Sequence, residues 1–292
     1  MSKTPTESAF KMIQARGLTF RVLDQGEGIP LLLLHGFPDS LDVWQAMTPT
    51  LLAAGFRVIA YDQRGYGETD APVDSASYRI DEIVADAPAI LDALGIQQPV
   101  CLLGHDWGSA IAWALALQHP ERVQALVAVS VGHPKSYGRA GLKQKLGKGL
   151  YVLWFQLRSL CEWYLLRAGG LRRWLGKTEH GDRALQQMSR PGRLTAALNW
   201  YRENLRKAVF GEWGQVHCPT LGVWSSEDAY LTEEQMLDSG NFVTSAWHYQ
   251  RIEGCGHWIQ LEQPEQLAQL AVRWFREYAS QPTDTALPSE AG

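Results

Sequence analysis

Gly104-His105-Asp106-Trp107-Gly108 is the stretch on which the reading of this chain turns. Before it, residues 99–103 (Pro-Val-Cys-Leu-Leu) are a short apolar run of the kind that makes a buried parallel strand. After it, residues 110–117 (Ala-Ile-Ala-Trp-Ala-Leu-Ala-Leu) are helix formers throughout and end near His119-Pro120. A strand feeding a helix through a turn with small residues at both flanks presents one side chain, here Asp106, at the top of the sheet. A serine in that position attacks carbonyl carbon and carries the acyl group. A carboxylate is a weaker base, better suited to an sp3 carbon with a strained or good leaving group, and its attack leaves an alkyl ester of the enzyme. The aspartate therefore argues against cleavage of esters and peptides.

Outward from this turn, strands and helices alternate. Residues 19–24 read as a strand, followed by a turn at Gln25-Gly26-Glu27-Gly28. A fully apolar strand at 31–34 ends in His35-Gly36-Phe37-Pro38, and a helix is expected from Asp39-Ser40 through Leu52, stopping at Gly55. Residues 57–61 form the next strand, ending in Asp62-Gln63-Arg64-Gly65-Tyr66-Gly67, and residues 80–94 have helical spacing with a stop at Gly95. A strand at 123–131 follows the helix after Asp106. From His133 to about Gly211 the alternation stops, and the chain becomes rich in Trp, Tyr, Leu and Arg with helical tendency. It resumes with strands at 220–224 and 247–252, a helix near 232–237 and a closing helix at 264–278; residues 280–292 lack periodicity and are expected to be a disordered tail. The pattern implies an α/β fold, a mostly parallel sheet covered by helices on both faces. Its expected parts are a core at 1–131, an inserted helical cap at 132–211 and the rest of the core at 212–279. Ligands bind such sheets at the carboxyl ends of the strands, where all these motifs fall.

With 292 residues, 46% of them apolar and 20% charged, the chain is long enough for one large globular domain with an insertion. Residues 131–211 hold sixteen Lys/Arg against four Asp/Glu, a balance of +12, while the remainder balances to −16, giving the net −4. The basic insertion has two readings: a solvated face on an acidic core, or, with Trp163, Leu165, Leu166 and Trp174, a surface for a membrane or for the carboxylate of a lipid substrate. The apolar runs are too short to span a bilayer, and the N-terminus has no secretory pattern. The four cysteines show neither metal-site spacing nor a disulfide framework, so the cytoplasm is the expected compartment. No metal or cofactor is implied and no nucleic-acid partner is expected.

Two further motifs complete a set. Ser225-Ser226-Glu227-Asp228 follows a strand directly, which puts Asp228, with Glu227 as its neighbour and rival, at the sheet's carboxyl edge. Gly254-Cys255-Gly256-His257-Trp258 places His257 on a loop after the last strand, and the order nucleophile, acid, histidine is that of the α/β-hydrolases, whose elbow is usually G-x-S-x-G. From about Phe20 to Tyr278 the chain closely resembles the epoxide hydrolases of that superfamily, on these motifs together with His35-Gly36-Phe37-Pro38 and Asp62-Gln63-Arg64-Gly65-Tyr66-Gly67. The resemblance implies an apolar epoxide as substrate, Asp106 as nucleophile, His257 and Asp228 as its partners, and backbone N–H groups of Phe37 and Trp107 as the oxyanion hole. Two cap tyrosines would stabilise the departing oxygen. Asn199-Trp200-Tyr201-Arg202 is similar to the segment carrying one, and residues 151–156 to the segment carrying the other, assigning Tyr201 and Tyr151, with Tyr137 and Tyr164 also available for the second place. Haloalkane dehalogenases share an aspartate followed by tryptophan, and Trp154 or Trp163 could serve as a halide donor in the cap. Phe37 stands where those enzymes place an asparagine, and Trp107 where a haloacid-cleaving enzyme would hold an arginine. A non-catalytic receptor on the same fold is the third reading; the complete set of catalytic residue types weighs against it.

Overall fold

The computed structural model describes residues 10–140 and 147–279, so the tail expected from residue 280 lies outside the described residues. Strands β1 Phe10–Ala15, β2 Leu18–Gln25, β3 Ile29–Leu34, β4 Phe56–Tyr61, β5 Val100–His105, β6 Val123–Val129, β7 Thr220–Ser225 and β8 Trp247–Ile252 form one sheet. Its order is β1-β2-β4-β3-β5-β6-β7-β8. Pairing is parallel from β4 to β8 and antiparallel between β1 and β2 and between β2 and β4. The chain runs outward from β3 to β4 and then returns to place β5 on the other side of β3. The loops leaving β3 and β5 therefore diverge, and they open a crevice at the carboxyl edge.

The central strands are apolar on both faces because both faces are covered. Leu32, Leu34, Leu102 and Ala128 join one core, which continues into Val152, Phe155 and Trp200 beyond the sheet edge. Leu31, Leu33, Cys101, Leu103 and Val127 alternate with them and join the other core, closed by Leu267, Ala271 and Phe275 of the helix Pro264–Tyr278. Between β6 and β7 the described residues contain no strand. They form a run of helices from Pro134–Arg139 to the long Arg193–Phe210.

Three local expectations change. Strand β1 was not anticipated: its pattern has only Ala15 buried, so it carries little hydrophobic signal and depends on pairing with β2. The helix expected from Asp39 to Leu52 is a 3-10 turn, Leu41–Trp44, and a separate helix, Thr48–Ala53, with Pro49 in its first turn where a missing N–H costs nothing. The helix expected over 80–94 breaks into Ile80–Val84 and Asp86–Ala93. Pro88 is the cause, since its ring would collide with the Val84 carbonyl in a continuous helix. No helix among the described residues is long and apolar enough to cross a membrane.

Candidate active site

Asp106 occupies the turn between β5 and the helix Trp107–Gln118 with φ 55° and ψ −122°, a conformation that costs about 1–3 kcal/mol unless its surroundings impose it. Three glycines allow those surroundings to close in. A Cβ on Gly104 would lie 2.3 Å from the Gly108 carbonyl oxygen, and one on Gly108 would lie 1.9 Å from the Leu34 carbonyl oxygen. A Cβ on Gly36 would lie 2.4 Å from the Asp106 side chain itself. Backbone thus packs on backbone around the turn, and the carboxylate is pushed into the crevice between β3 and β5.

The Phe37 N–H donates to Asp106 Oδ1 at 2.8 Å. On the other side, His257 Nε2 is 3.7 Å from Asp106 Oδ2, and His257 Nδ1 is 2.8 Å from Asp228 Oδ2. Asp228 Oδ1 accepts from the N–H groups of Tyr230 and Leu231 at 2.8 and 2.9 Å. Asp106, Asp228 and His257 are all buried, whereas Glu227, the alternative acid, is exposed. Burial works to raise the Asp228 pKa, but the His257 charge and hydrogen bond and the two backbone N–H groups outweigh it and hold the group below its ordinary value. Burial would also depress His257; the carboxylates of Asp228 and Asp106 overcome it and lift the imidazole to about 10. Trp107 begins the elbow helix, its ring 5.1 Å from that of Tyr201.

A cavity of about 100 Å³ opens from Asp106, lined mostly by apolar side chains with Trp107, Tyr137, Tyr151 and Tyr201 among them. Tyr201 belongs to Arg193–Phe210 and Tyr151 to the helix Leu150–Trp154, and their rings lie 6.1 Å apart. Phe155 sits 5.0 Å from Tyr201 and 5.3 Å from Tyr151, and Trp174 lies 6.0 Å from Tyr151. Burial, with the Asp106 carboxylate nearby, pushes both hydroxyls well above their ordinary pKa, so each keeps its proton. Tyr137 also reaches the cavity; Tyr164, Trp154 and Trp163 do not line it.

A profile of the alpha/beta hydrolase fold matches residues 29–264. The chain belongs to the α/β-hydrolase family. It is epoxide-hydrolase-like: Epoxide hydrolase 4 of Homo sapiens is 32% identical over 284 residues, covering 91% of this chain and 78% of that protein. The AB hydrolase superfamily protein YfhM of Bacillus subtilis is 33% identical over 282 residues, covering 91% and 97%. Among solved structures, Epoxide Hydrolase A from Mycobacterium thermoresistibile aligns with a TM-score of 0.79 at 26% identity, covering 91% of this chain and 98% of that one.

Several residues of this α/β-hydrolase had no role in the sequence reading and acquire one here. His105 donates through Nε2 to the His257 carbonyl at 2.8 Å while Gln260 Nε2 donates to its Nδ1 at 2.9 Å, so the residue before Asp106 ties down the loop of His257. Burial, reinforced by the His257 charge, lowers His105 to about 4 and keeps it neutral. His35 Nε2 accepts from the Gln63 N–H at 3.0 Å, joining the loop after β3 to the loop after β4. The 62–67 motif is a socket for the helix that carries Tyr201. Trp200 Nε1 donates to the Arg64 carbonyl at 3.3 Å, and Arg190 pairs with Glu68 at 2.6 Å. Asn204 accepts from the Ile80 N–H and donates to the Tyr78 carbonyl, both at 2.7 Å. The motif's glycines carried the only signal, and the partner more than a hundred residues away was not readable from them.

Proposed function

We propose that this chain hydrolyses epoxides to vicinal diols through a covalent ester on Asp106, under a cap formed by residues 132–211 on a core of 1–131 and 212–279. The observation that carries the reading is that Asp106 shares one apolar cavity with protonated tyrosines, Tyr151 and Tyr201 together with Tyr137. An epoxide needs both at once, a nucleophile at carbon and a proton for the oxygen it releases. The names of the relatives support the same substrate class.

In the proposed cycle, Asp106 Oδ2 attacks an epoxide carbon, the C–O bond breaks, and the alkoxide takes a proton from a tyrosine. Oδ1 becomes the ester carbonyl oxygen, already bonded to the Phe37 N–H; with the Trp107 N–H that bond forms the proposed oxyanion hole. Ester formation removes one of the two carboxylates that hold the proton on His257. The imidazole then gives its proton back to the tyrosine and becomes a base. Oriented by Asp228, His257 takes a proton from water, and hydroxide adds to the Asp106 carbonyl carbon. Collapse expels the diol oxygen, which leaves with the carboxyl proton, and the starting charges of Asp106 and His257 are restored.

His257→Gln tests the scheme by intact mass. The variant is expected to alkylate without hydrolysing, so that an adduct equal to the whole epoxide accumulates and maps to Asp106. An adduct carrying only the alkyl group of a haloalkane, with epoxides inert, would make the chain a dehalogenase. The absence of any adduct across both panels would favour a receptor.

A further inference from the structure

The cap has a second apolar face that the cavity does not use. Between Leu150 and Tyr164 the chain forms a short helix, Leu150–Trp154, then turns in which Ser159 takes φ 63°, then a second short helix, Leu160–Glu162, and Val152, Phe155 and Cys161 are buried. Leu150, Leu153, Leu157, Leu160 and Trp163 form a stripe of exposed apolar side chains along this segment, 48%, 53%, 48%, 55% and 57% exposed. Tyr164 extends the stripe and packs its ring 5.0 Å from Trp154, which brings the two ends of the segment together. Isolated exposed apolar residues are ordinary; several of them concentrated in one short segment mark an interaction surface.

Charge selects the partner. Arg158, Arg167 and Arg173 are exposed within or beside the stripe, Arg158 lying 3.9 Å from Glu203, and the Arg173 guanidinium lies 5.4 Å from the Tyr164 ring centroid. The one acidic residue of the segment, Glu162, is turned inward to pair with Arg202 at 2.7 Å. A second copy of the chain on this face would bring the two sets of arginines together, whereas anionic headgroups would neutralise them. Exposed leucines beside arginines and a tryptophan match the chemistry of the interfacial zone of a bilayer. We propose that this face of the cap docks on an anionic lipid surface. The proposal does not depend on the reaction assigned to Asp106.

The test is flotation of the purified chain with vesicles of phosphatidylcholine alone or mixed with phosphatidylserine, at low and high salt. Wild type is expected to float with the mixed vesicles, much less with the neutral ones, and to be released by salt. The triple substitution Leu153→Ser, Leu157→Ser and Trp163→Ser is expected to weaken binding by about tenfold or more, with thermal unfolding unchanged because these side chains are exposed. The pair Arg158→Glu and Arg167→Glu, which leaves the apolar stripe intact, is expected to weaken binding to mixed vesicles by a similar factor. The proposal is overturned if wild type fails to float with mixed vesicles, or if both variants float as wild type does. It is equally overturned if sedimentation shows a dimer that the triple substitution dissociates while lipid is not bound.

Discussion

Two walls face each other across the Asp106 cavity, and different forces hold them. On the sheet side, Asp106, Asp228 and His257 each stand on a short loop after a strand, and backbone groups fix them: the Phe37 N–H on Asp106, the Tyr230 and Leu231 N–H groups on Asp228, and the ring of His105 on the His257 carbonyl. On the cap side, Tyr151 and Tyr201 are set by edge-to-face packing against Phe155 and Phe37 and by the attachment of one long helix to the 62–80 loops. Backbone contacts tolerate almost no displacement, whereas packed rings can repack around a different substrate. In the proposed mechanism the bond-making geometry lies on the sheet wall and the fit to substrate on the wall of the proposed cap.

The largest expected effect lies on the sheet wall. Asp106→Ala removes the proposed nucleophile, and a loss on the order of 10⁶-fold is expected, measured as kcat with an epoxide and accompanied by loss of any adduct. Residual turnover within a hundredfold of wild type would mean that another residue is the nucleophile.

The cap wall is expected to give less. Tyr201→Phe keeps the ring packing and removes only the proton donor, so kcat should fall about 10²–10⁴-fold, with the double variant at Tyr151 and Tyr201 the more severe. Equal loss from the single and double substitutions would show that Tyr151 takes no part. Wild-type turnover in the double variant would remove both tyrosines from the mechanism.

Anchoring of the helix that carries Tyr201 can be weakened at Asn204, which lines the cavity but carries no acid, base or nucleophile of the proposed cycle. Asn204→Ala leaves the Ile80 N–H and Tyr78 carbonyl without their buried partner and is expected to cost about 1–3 kcal/mol, read as a fall in Tm of roughly 2–4 °C for each kcal/mol. If the comparison of the two walls is right, KM should rise more than kcat falls.

A pH dependence also separates the walls. The folded pKa of His257 is about 10, above its ordinary 6.5, so its contribution to stability is complete below 6.5 and is lost as pH rises toward 10. His105 shows the reverse: held at about 4, it weakens the fold as pH falls from 6.5 toward 4. Tyr151 and Tyr201, held well above their ordinary range, add to the alkaline fall only from about pH 9 upward, where the unfolded tyrosines begin to ionise. Tm is therefore expected to peak near neutrality, and Asp228→Asn should flatten the alkaline side. An unchanged alkaline slope in that variant would show that the charge on His257 does not depend on Asp228.

The sheet wall was legible in the sequence because it is local. Each of its groups follows an apolar strand by a few residues, small residues mark the tight turns, and the change from serine to aspartate states a chemistry by itself. Local signal also has limits there: Glu227 and Asp228 are adjacent, and only the fold turns one to solvent and the other onto His257 at 2.8 Å. The same limit hid Pro88, which breaks a helix whose hydrophobic spacing runs on regardless, and β1, whose exposed face gives no alternation to read. The cap wall depended almost wholly on tertiary structure. Its sequence announced an aromatic, basic, helical insertion, and any of four tyrosines could have faced the cavity. Contacts such as Arg190 with Glu68 and Asn204 with Ile80, each spanning more than a hundred residues, place Tyr201 and leave Tyr164 outside. The sequence by itself determined an aspartate at the elbow, the chain order of Asp106, Asp228 and His257 and the alternating fold, because those follow from residue chemistry and short-range periodicity. Which rings meet Asp106, and at what distance, was decided by the fold alone, because ring packing and helix docking depend on neighbours that the chain brings together only when it closes.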